Sequence, residues 1–227
     1  MQNNRNKINN KPQRKRRQTD QSTGCLSGFF IPLLIVLFIG IILASNTTTF
    51  SKIQLPGAVQ NKPLAPFFTP EIQHWSNSIS RWANEHSLDP NFVATVMQIE
   101  SCGNPESLSG AGAAGLFQVM PFHFAEGDDS FDPDTNALRG LTYLENSLTA
   151  ANGDYRLAFA GYNGGIGVIS QPDSDWADET QRYAYWGSGI YEDAQQNLVN
   201  SPRLNEWLNA GGDALCILAK QKLGISQ

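Results

Sequence analysis

The chain has 227 residues, and 41% of them are hydrophobic, which is enough for one domain of ordinary size with its own core. Its three cysteines, Cys25, Cys102 and Cys216, are widely spaced and form no C-x-x-C pair, which excludes a cysteine scaffold, a structural zinc site and a dithiol redox motif. The formal net charge is −5, but residues 1–45 hold seven bases and one acid, so residues 46–227 hold nine bases and 20 acids. The larger part of the chain is therefore strongly acidic, which excludes nucleic acid as its partner.

A basic segment precedes a long apolar run near the N-terminus. All seven of these bases lie in residues 1–24, and residues 26–44 contain no charged side chain. This run is 19 residues long, and as a helix it would span roughly 28 Å, close to the thickness of a hydrocarbon core. We predict one transmembrane helix at residues 25–45 behind a basic cytoplasmic tail, with the rest of the chain outside. A cleaved signal peptide, with secretion of the remainder, is the alternative, although Ile42 at the −3 position before a cut at Ala44 is not small.

A linker is predicted after this segment. Residues 46–70 have no sustained hydrophobic period and include Pro56, Pro63 and Pro66, a composition typical of a spacer. The remaining residues, 71–227, are predicted to form one domain.

Helix start signals recur through this domain. Several prolines follow a residue that can cap a helix, apolar residues then recur at steps of three and four, and alternating strand patterns are nearly absent. The class is therefore predicted to be all-α. Helices are expected to begin near Pro70, Pro90, Pro133, Asp154, Trp176 and Pro202.

The second predicted helix carries a carboxylate in line with its apolar face. Its apolar stripe is Val93, Val96 and Met97, and at 100° per residue Glu100 lies about 20° from the direction of Val93. A glutamate near a helix end is ordinarily solvated or ion-paired, but here the helix ends soon afterwards and a glycine-rich run, residues 110–115, follows. A carboxyl at such an edge is partly desolvated, which raises its pKa toward the range useful to a general acid.

Five ordered sequence blocks stand in the predicted helical domain. They read I-E-S at 99–101 with N-P at 104–105, G-A-G-A-A-G-L-F-Q-V-M-P at 110–121, F-D-P-D-T-N at 131–136, L-A-F-A-G-Y-N at 157–163 and E-T-x-x-Y at 179–183. Together they resemble the soluble-lytic-transglycosylase (SLT) type of domain in the lysozyme-like superfamily. The resemblance implies a lysozyme-like helical fold and a lytic transglycosylase that cleaves the MurNAc–GlcNAc β-1,4 bond of peptidoglycan with formation of 1,6-anhydroMurNAc ends. It implies neither a metal nor a cofactor.

The resemblance also implies roles for particular residues. Glu100 matches the single catalytic acid, and Ser101 matches the neighbour that hydrogen-bonds and orients it. Tyr162 matches the tyrosine beside the acid, and Asn163 matches the asparagine that contacts the sugar. Apart from the resemblance, the five tryptophans are expected to lie mostly in the core, although one or two of them, Trp186 before the others, could stack on a sugar ring. Further residues expected to line the substrate groove are Gly115, Leu116, Phe117, Gln118, Glu179 and Tyr183.

One carboxylate is enough for the lytic reaction, whereas other glycosidases use two. The substrate's N-acetyl oxygen can stabilise the anomeric carbon, and the MurNAc C6 hydroxyl can replace water, so Glu100 would act first as acid and then as base. A hydrolytic muramidase of goose-lysozyme type is an alternative, and it would need a second carboxylate. Ala111, Ala113 and Ala114 offer none, but the loop at Asp128 could supply one. A non-catalytic peptidoglycan-binding scaffold is the other alternative, and the intact Glu100 argues against it.

The resemblance and the predicted span together place the catalytic domain outside a bacterial cell membrane, with peptidoglycan glycan strands as its partner. On that side Cys102 and Cys216 could form a disulfide that braces the catalytic helix against the last helix, or remain two buried thiols. Cys25 lies at the cytoplasmic edge of the span and cannot join them.

The acidic loop before the third predicted helix resembles a calcium-binding loop in part. Oxygen-bearing side chains stand at every second position, at Asp128, Ser130, Asp132 and Asp134. However, Pro133 stands where such a loop requires glycine. A solvated loop followed by a helix cap is the preferred interpretation.

Overall fold

The computed structural model of the protein describes residues 63–225. The predicted basic tail, the predicted transmembrane helix at 25–45 and most of the predicted linker lie outside that range. Within it, every helix falls short of the length and apolar character that crossing a bilayer requires.

The described residues fold into α-helices joined by short turns and one long loop. The helices are α1 (Pro70–His74), α2 (Ser76–Glu85), α3 (Pro90–Ser101), α4 (Pro133–Ala150), α5 (Tyr155–Gly164), α6 (Asp178–Gln195), α7 (Pro202–Trp207) and α8 (Asp213–Leu223). Short 3-10 helices stand at Pro121–His123, Ile166–Ser170 and Asp173–Asp175, and one π-helical turn at Leu208–Gly212. Extended pairing in residues 63–225 is limited to isolated bridges within the loop between α3 and α4. The predicted all-α class is confirmed for this part of the chain.

Four of the six predicted helix starts have a side-chain cap, whereas Thr69 before α1 and Ala177 before α6 make no such bond. The side chains of Asp89, Asp132, Asp154 and Ser201 each accept a hydrogen bond from a backbone N–H in the first turn of α3, α4, α5 and α7. These bonds satisfy amide groups that have no partner inside the helix. A proline at the first helical position follows three of the four caps, where its missing N–H costs nothing.

Two predicted helices are interrupted. The first breaks at Trp75 into α1 and α2, and its indole Nε1 donates to the Gly103 carbonyl at 2.9 Å, a contact 28 residues away that periodicity cannot reveal. The last breaks between α7 and α8 at Gly211, whose φ of 116° is outside the helical region.

Helix α3 runs through the centre of the core. Phe92, Val93, Val96 and Met97 are all fully buried, because α1, α2, α6 and α8 pack around the helix. Burying one such side chain contributes about 1.5–3 kcal/mol. The core therefore fixes the helix whose C-terminal end carries Glu100.

Two further contacts hold the ends of α3. Cys102 follows its last residue in a left-handed conformation (φ 50°) and forms a disulfide with Cys216 of α8, so the disulfide and not the pair of free thiols is present. At the other end, the Asn91 side chain accepts from the Ala65 amide at 2.8 Å, and Ala65 and Phe68 are buried. The last residues of the predicted linker thus pack against the domain.

Candidate active site

A cavity of about 620 Å³ lies at the C-terminal end of α3, a volume within the range of small-molecule sites. Its walls come from α3, the loop between α3 and α4, α5 and α6. The lining residues are Ile99, Glu100, Ser109, Ala111, Ala113, Gln118, Met120, Tyr162, Asn163, Glu179, Arg182, Tyr183 and Trp186. A second cavity, of about 700 Å³, is lined by parts of α5 and α6 that include Asp154, Tyr155 and Tyr191, and none of the predicted site residues lines it.

The structure divides the predicted site residues into two groups. Those that line the cavity with Glu100 are Gln118, Tyr162, Asn163, Glu179 and Tyr183. The remaining four, Ser101, Gly115, Leu116 and Phe117, are buried and do not appear in its lining. Trp186, the tryptophan singled out for sugar stacking, also lines the cavity.

The electrostatics of Glu100 suit an acid. Burial raises the pKa of its carboxyl from 4.5 to about 8, the Tyr183 hydroxyl opposes this rise, and the Glu179 carboxylate adds to it. The carboxyl is consequently protonated for the most part at pH 7. In that state it can donate a proton to a ligand in the cavity.

Two tyrosines flank this carboxyl. The Tyr162 hydroxyl donates to the Phe117 carbonyl at 2.7 Å, and the Tyr162 and Tyr183 rings stack with centroids 6.5 Å apart. The buried Tyr183 hydroxyl interacts with the Glu100 carboxyl, but the pair does not have the geometry of a well-formed hydrogen bond. Burial and the neighbouring Glu100 raise the pKa of both phenols well above 10. Both phenols therefore remain protonated at neutral pH.

Ser101 makes other bonds than the one expected from the resemblance. Its hydroxyl donates to the Leu116 carbonyl at 2.7 Å and accepts from the Gly103 amide at 3.1 Å. A hydroxyl has a single hydrogen, so Ser101 has none to give to Glu100. Its role is to join the end of α3 to the glycine-rich loop.

Asn136 organises that loop, and the sequence analysis gave it no role. Its Oδ1 accepts from the Phe117 amide at 2.9 Å, and its Nδ2 donates to the carbonyls of Ala114 at 2.8 Å and Ser130 at 2.9 Å. A Cβ on Gly115 would lie 2.3 Å from this Nδ2, so only glycine fits there. Periodicity gave no clear signal, because at 100° per residue Asn136 lies about 80° from the buried Leu144 and about 140° from the buried Leu141.

The Gln118 side chain stabilises the loop between α3 and α4, to which it belongs. Its backbone is left-handed (φ 45°), and its Nε2 donates to the carbonyls of Ser107 and Gly115 at 3.1 and 3.0 Å. A non-glycine residue in this region is strained, and such strain is commonly found at functional sites.

Asn163 is oriented by a residue that sequence reasoning left without a function. The buried Thr180 hydroxyl donates to Asn163 Oδ1 at 2.8 Å. Because the oxygen accepts this bond, the amide nitrogen is the group that can donate to a ligand. Thr180 lies beside Glu179 at the start of α6, so one turn of helix supplies both a lining carboxylate and this support.

The loop at Asp128 supplies no second carboxylate to the cavity. Asp128 accepts from Arg139 Nε at 2.7 Å and from the Ala125 amide at 2.8 Å, and these bonds hold its pKa below the usual range. Asp132 caps α4, as predicted. Asp134 accepts from Arg81 and from the indole of Trp82. All three carboxylates are thus used in the protein's own structure.

Comparison with known proteins shows which families the chain is similar to. The family model of the transglycosylase SLT domain matches residues 77–184, which include all five sequence blocks, and this confirms the resemblance.

Among curated proteins, the transglycosylase of Enterobacteria phage PRD1 is 34% identical over 111 residues, covering 48% of this chain and 40% of that protein. Membrane-bound lytic murein transglycosylase E of Buchnera aphidicola is 28% identical over 86 residues (32% of this chain, 39% of that one). Membrane-bound lytic murein transglycosylase C of Actinobacillus succinogenes is 30% identical over 122 residues, which cover 44% of this chain and 34% of that protein. The chain thus matches well under half the length of each relative.

Among solved structures, an inactive mutant of the lytic transglycosylase Slt from Pseudomonas aeruginosa is 25% identical, with a TM-score of 0.45. The match covers 56% of this chain and 25% of that one.

Proposed function

Since the family model of the transglycosylase SLT domain matches residues 77–184, we propose that the protein is a lytic transglycosylase of peptidoglycan. It cleaves the MurNAc–GlcNAc β-1,4 bond and leaves 1,6-anhydroMurNAc ends. The observation that carries this proposal is the carboxyl of Glu100, which lies in the cavity wall with its pKa raised to about 8. A group that holds its proton at neutral pH is suited to protonate a leaving oxygen.

In the first step Glu100 gives its proton to the glycosidic oxygen. The bond from the MurNAc anomeric carbon to that oxygen breaks, and GlcNAc leaves with a neutral hydroxyl. The substrate's acetamido oxygen stabilises the positive anomeric carbon, and the Asn163 amide, oriented by Thr180, is placed to hold the acetamido group. No second carboxylate is needed for this step.

In the second step Glu100 acts as a base. Its carboxylate takes the proton of the MurNAc C6 hydroxyl while the C6 oxygen bonds to the anomeric carbon. The Tyr183 hydroxyl favours the ionised carboxyl, so it stabilises Glu100 during this half of the cycle. The acid is regenerated and no water is consumed.

A hydrolytic muramidase is the second candidate, because Glu179 also lines the cavity. Its carboxylate is on the exposed side of the site and could activate a water molecule against the anomeric carbon. The two reactions differ in their products, because hydrolysis leaves reducing MurNAc ends that are heavier by one water.

The test is mass analysis of the products that purified full-length protein releases from peptidoglycan, with a lysozyme digest as reference. The lytic proposal requires anhydro ends, with no release by Glu100→Gln. Reducing ends, lost in Glu179→Gln, would replace it with the muramidase. Binding to the wall without any release would favour the scaffold.

We also propose that the protein is anchored in the bacterial membrane by one helix, with the SLT domain outside. The basic segment at residues 1–24 next to the apolar run at 26–44 supports this orientation. Two relatives are named membrane-bound, and the Cys102–Cys216 disulfide fits an oxidising compartment.

A further inference from the structure

A row of aromatic side chains leads outward from the cavity. The row starts at Tyr162, which lines the cavity, and the Tyr143 ring centre lies 5.8 Å from that of Tyr162. The His123 ring is 4.5 Å from Tyr143, and the Phe122 ring is 4.6 Å from His123. Each step is within the range of direct ring contact. The outer three residues have no part in the chemistry derived above.

The outer end of this row is unusually exposed for its residue type. Phe122 is 74% exposed, the largest value among the big hydrophobic side chains of residues 63–225. It stands two residues after Met120, which lines the cavity. A single exposed apolar side chain is ordinary, but one that continues an unbroken aromatic surface out of a ligand cavity points to a ligand.

The backbone holds Phe122 in place without a ligand. It lies in the 3-10 turn Pro121–His123, where the His123 amide donates to the Met120 carbonyl at 3.0 Å and the Phe124 amide to the Pro121 carbonyl at 3.2 Å. Because the backbone that carries the ring is already ordered, binding costs little further backbone entropy at this position.

The polar groups of the row fit a carbohydrate. A pyranose presents C–H bonds on its face and hydroxyl groups at its edge, so it needs both aromatic faces and hydrogen-bonding tips. The Tyr143 hydroxyl accepts from the Ile166 amide at 3.3 Å, which leaves its hydrogen for a ligand. Burial lowers the pKa of His123, so its neutral ring offers one donor and one acceptor.

We propose that Phe122, His123 and Tyr143 form an additional saccharide subsite, which binds a sugar of the same glycan strand beyond those held next to Glu100. This inference rests on the proposed function, since it takes a peptidoglycan strand as the ligand. Phe122 supplies the stacking face, and the tips of His123 and Tyr143 bond the edge of the sugar. Strands long enough to reach the row should bind more tightly than shorter ones.

The test measures affinity against chain length. Peptide-free GlcNAc–MurNAc oligomers of increasing length are titrated into full-length Glu100→Gln protein, which cannot consume them, and into the same protein with a second substitution. Longer oligomers should bind the parent more tightly than short ones. Phe122→Ala should reduce this ratio of affinities by about three- to tenfold, the size of one aromatic contact. Phe122→Tyr, which keeps the ring, should retain that gain.

The matched control is Val199→Ala. Val199 is 73% exposed and outside the lining of the cavity, so its removal should leave the gain unchanged. Thermal unfolding of each variant verifies that the fold is intact, and an unfolded Phe122→Ala protein would overturn the proposal, since an exposed ring was assigned no structural role. An affinity gain that is equal in Phe122→Ala and its parent would overturn it as well.

Failure of the subsite and failure of the function give different results. If wild-type protein releases anhydro products but Phe122→Ala keeps the full gain, only the subsite is wrong. If wild-type protein releases no muropeptides and the oligomers do not bind, the lytic transglycosylase is wrong and the subsite falls with it.

Discussion

The carboxyl of Glu100 owes its chemistry to its place on a buried helix. Its backbone belongs to α3, whose preceding turns are fully buried, while the side chain reaches the cavity. Burial removes the carboxyl from solvent, which disfavours its charged form. Two neighbours shift the pKa of Glu100 in opposite directions: the Tyr183 hydroxyl lowers it and the Glu179 carboxylate raises it.

The pH dependence of cleavage should report these two neighbours. Because the acid must carry its proton, kcat/KM should fall as pH rises through about 8. Glu179→Gln removes a charge that raises the pKa of Glu100, so it should move this fall to lower pH. Tyr183→Phe removes a group that lowers the pKa, so it should move the fall to higher pH. The measurement is kcat/KM against pH on soluble muropeptide oligomers.

The pH at which kcat/KM falls reports the pKa of Glu100. Loss of a substrate contact would instead lower kcat/KM at every pH without moving that fall. Glu126→Gln is the control, since Glu126 is exposed and outside the cavity lining. Shifts in the same direction for Glu179→Gln and Tyr183→Phe would refute the assignment.

Replacing Glu100 by Gln should separate activity from stability. Cleavage should fall by at least the 10²–10⁴-fold typical of a lost acid–base group, because the amide cannot donate a proton to the leaving oxygen. Stability should respond differently. The carboxyl has a pKa of about 8 when folded and 4.5 as reference. Keeping it protonated in the fold therefore costs almost no free energy below pH 4.5 and increasingly more as pH rises toward 8.

The glutamine does not titrate. The melting temperature of Glu100→Gln minus that of wild type should therefore increase between pH 5 and pH 8.5, with Glu126→Gln again as control. A constant difference over this range would mean that the folded carboxyl is already ionised at pH 5.

Sequence reasoning identified Glu100 because the residue itself carries the signal, a carboxylate on an apolar stripe. It gave Asn136 and Thr180 no role, since each acts through hydrogen bonds to another segment. It assigned Ser101 a bond to Glu100, although the Leu116 carbonyl, 15 residues further along, takes the hydroxyl hydrogen. Local patterns show which side chains face inward, but not which distant backbone groups they satisfy.

At the scale of elements, the long loop between α3 and α4 depends on one helix residue. Asn136→Ala would leave the Phe117 amide and the carbonyls of Ala114 and Ser130 without this partner. The Ala114 carbonyl keeps its bond from the Val119 amide, and the bond to the Ser130 carbonyl is only partly buried, so the buried Phe117 amide is the group left unsatisfied. Such a group costs about 1–3 kcal/mol, and we expect a loss of that size in the free energy of unfolding. Urea unfolding measures it. Asn146→Ala is the matched control, on the exposed face of the same helix, and an equal loss in both variants would disprove the role of Asn136.

The disulfide is the second device at this scale. It joins residues 114 apart, Cys102 at the end of α3 and Cys216 in α8. Closing a loop of that length stabilises a domain by about 2–5 kcal/mol. Reduction should therefore lower the melting temperature and the cleavage rate of wild type. The double substitution Cys102→Ala with Cys216→Ala should show the lower values from the start and be unaffected by reductant, whereas a response of that variant to reductant would place the effect elsewhere.

Helix starts were predictable because caps and prolines act within one turn of the chain. The breaks at Trp75 and Gly211 differ in this respect. Trp75 is fixed by a bond to Gly103 in another segment, which periodicity does not contain. Gly211 is followed by Gly212, and such a glycine pair is a local turn signal, so this break could have been predicted.

At the scale of the whole molecule, the basic N-terminal segment and the candidate site lie in different parts of the chain. The bases of residues 1–24 and the apolar run at 26–44 are typical of a retained anchor, and the acidic remainder contains the whole candidate site. This division predicts opposite environments for the cysteines. Cys25 would face a reducing compartment, whereas Cys102 and Cys216 are paired, as expected in an oxidising one.

The orientation can be tested in intact cells through these cysteines. A membrane-permeant alkylating reagent should modify Cys25 without prior reduction, and Cys102 and Cys216 only after it. Protease added to spheroplasts should remove the SLT domain and leave a membrane-bound fragment that retains the original N-terminus. Glu100→Gln, which leaves the anchor and the disulfide untouched, serves as the control against effects of wall damage. A mature N-terminus near Ser45 would replace the anchor with a cleaved signal, while a protected domain with freely alkylated Cys102 and Cys216 would place the domain in the cytoplasm and contradict the proposed access to peptidoglycan.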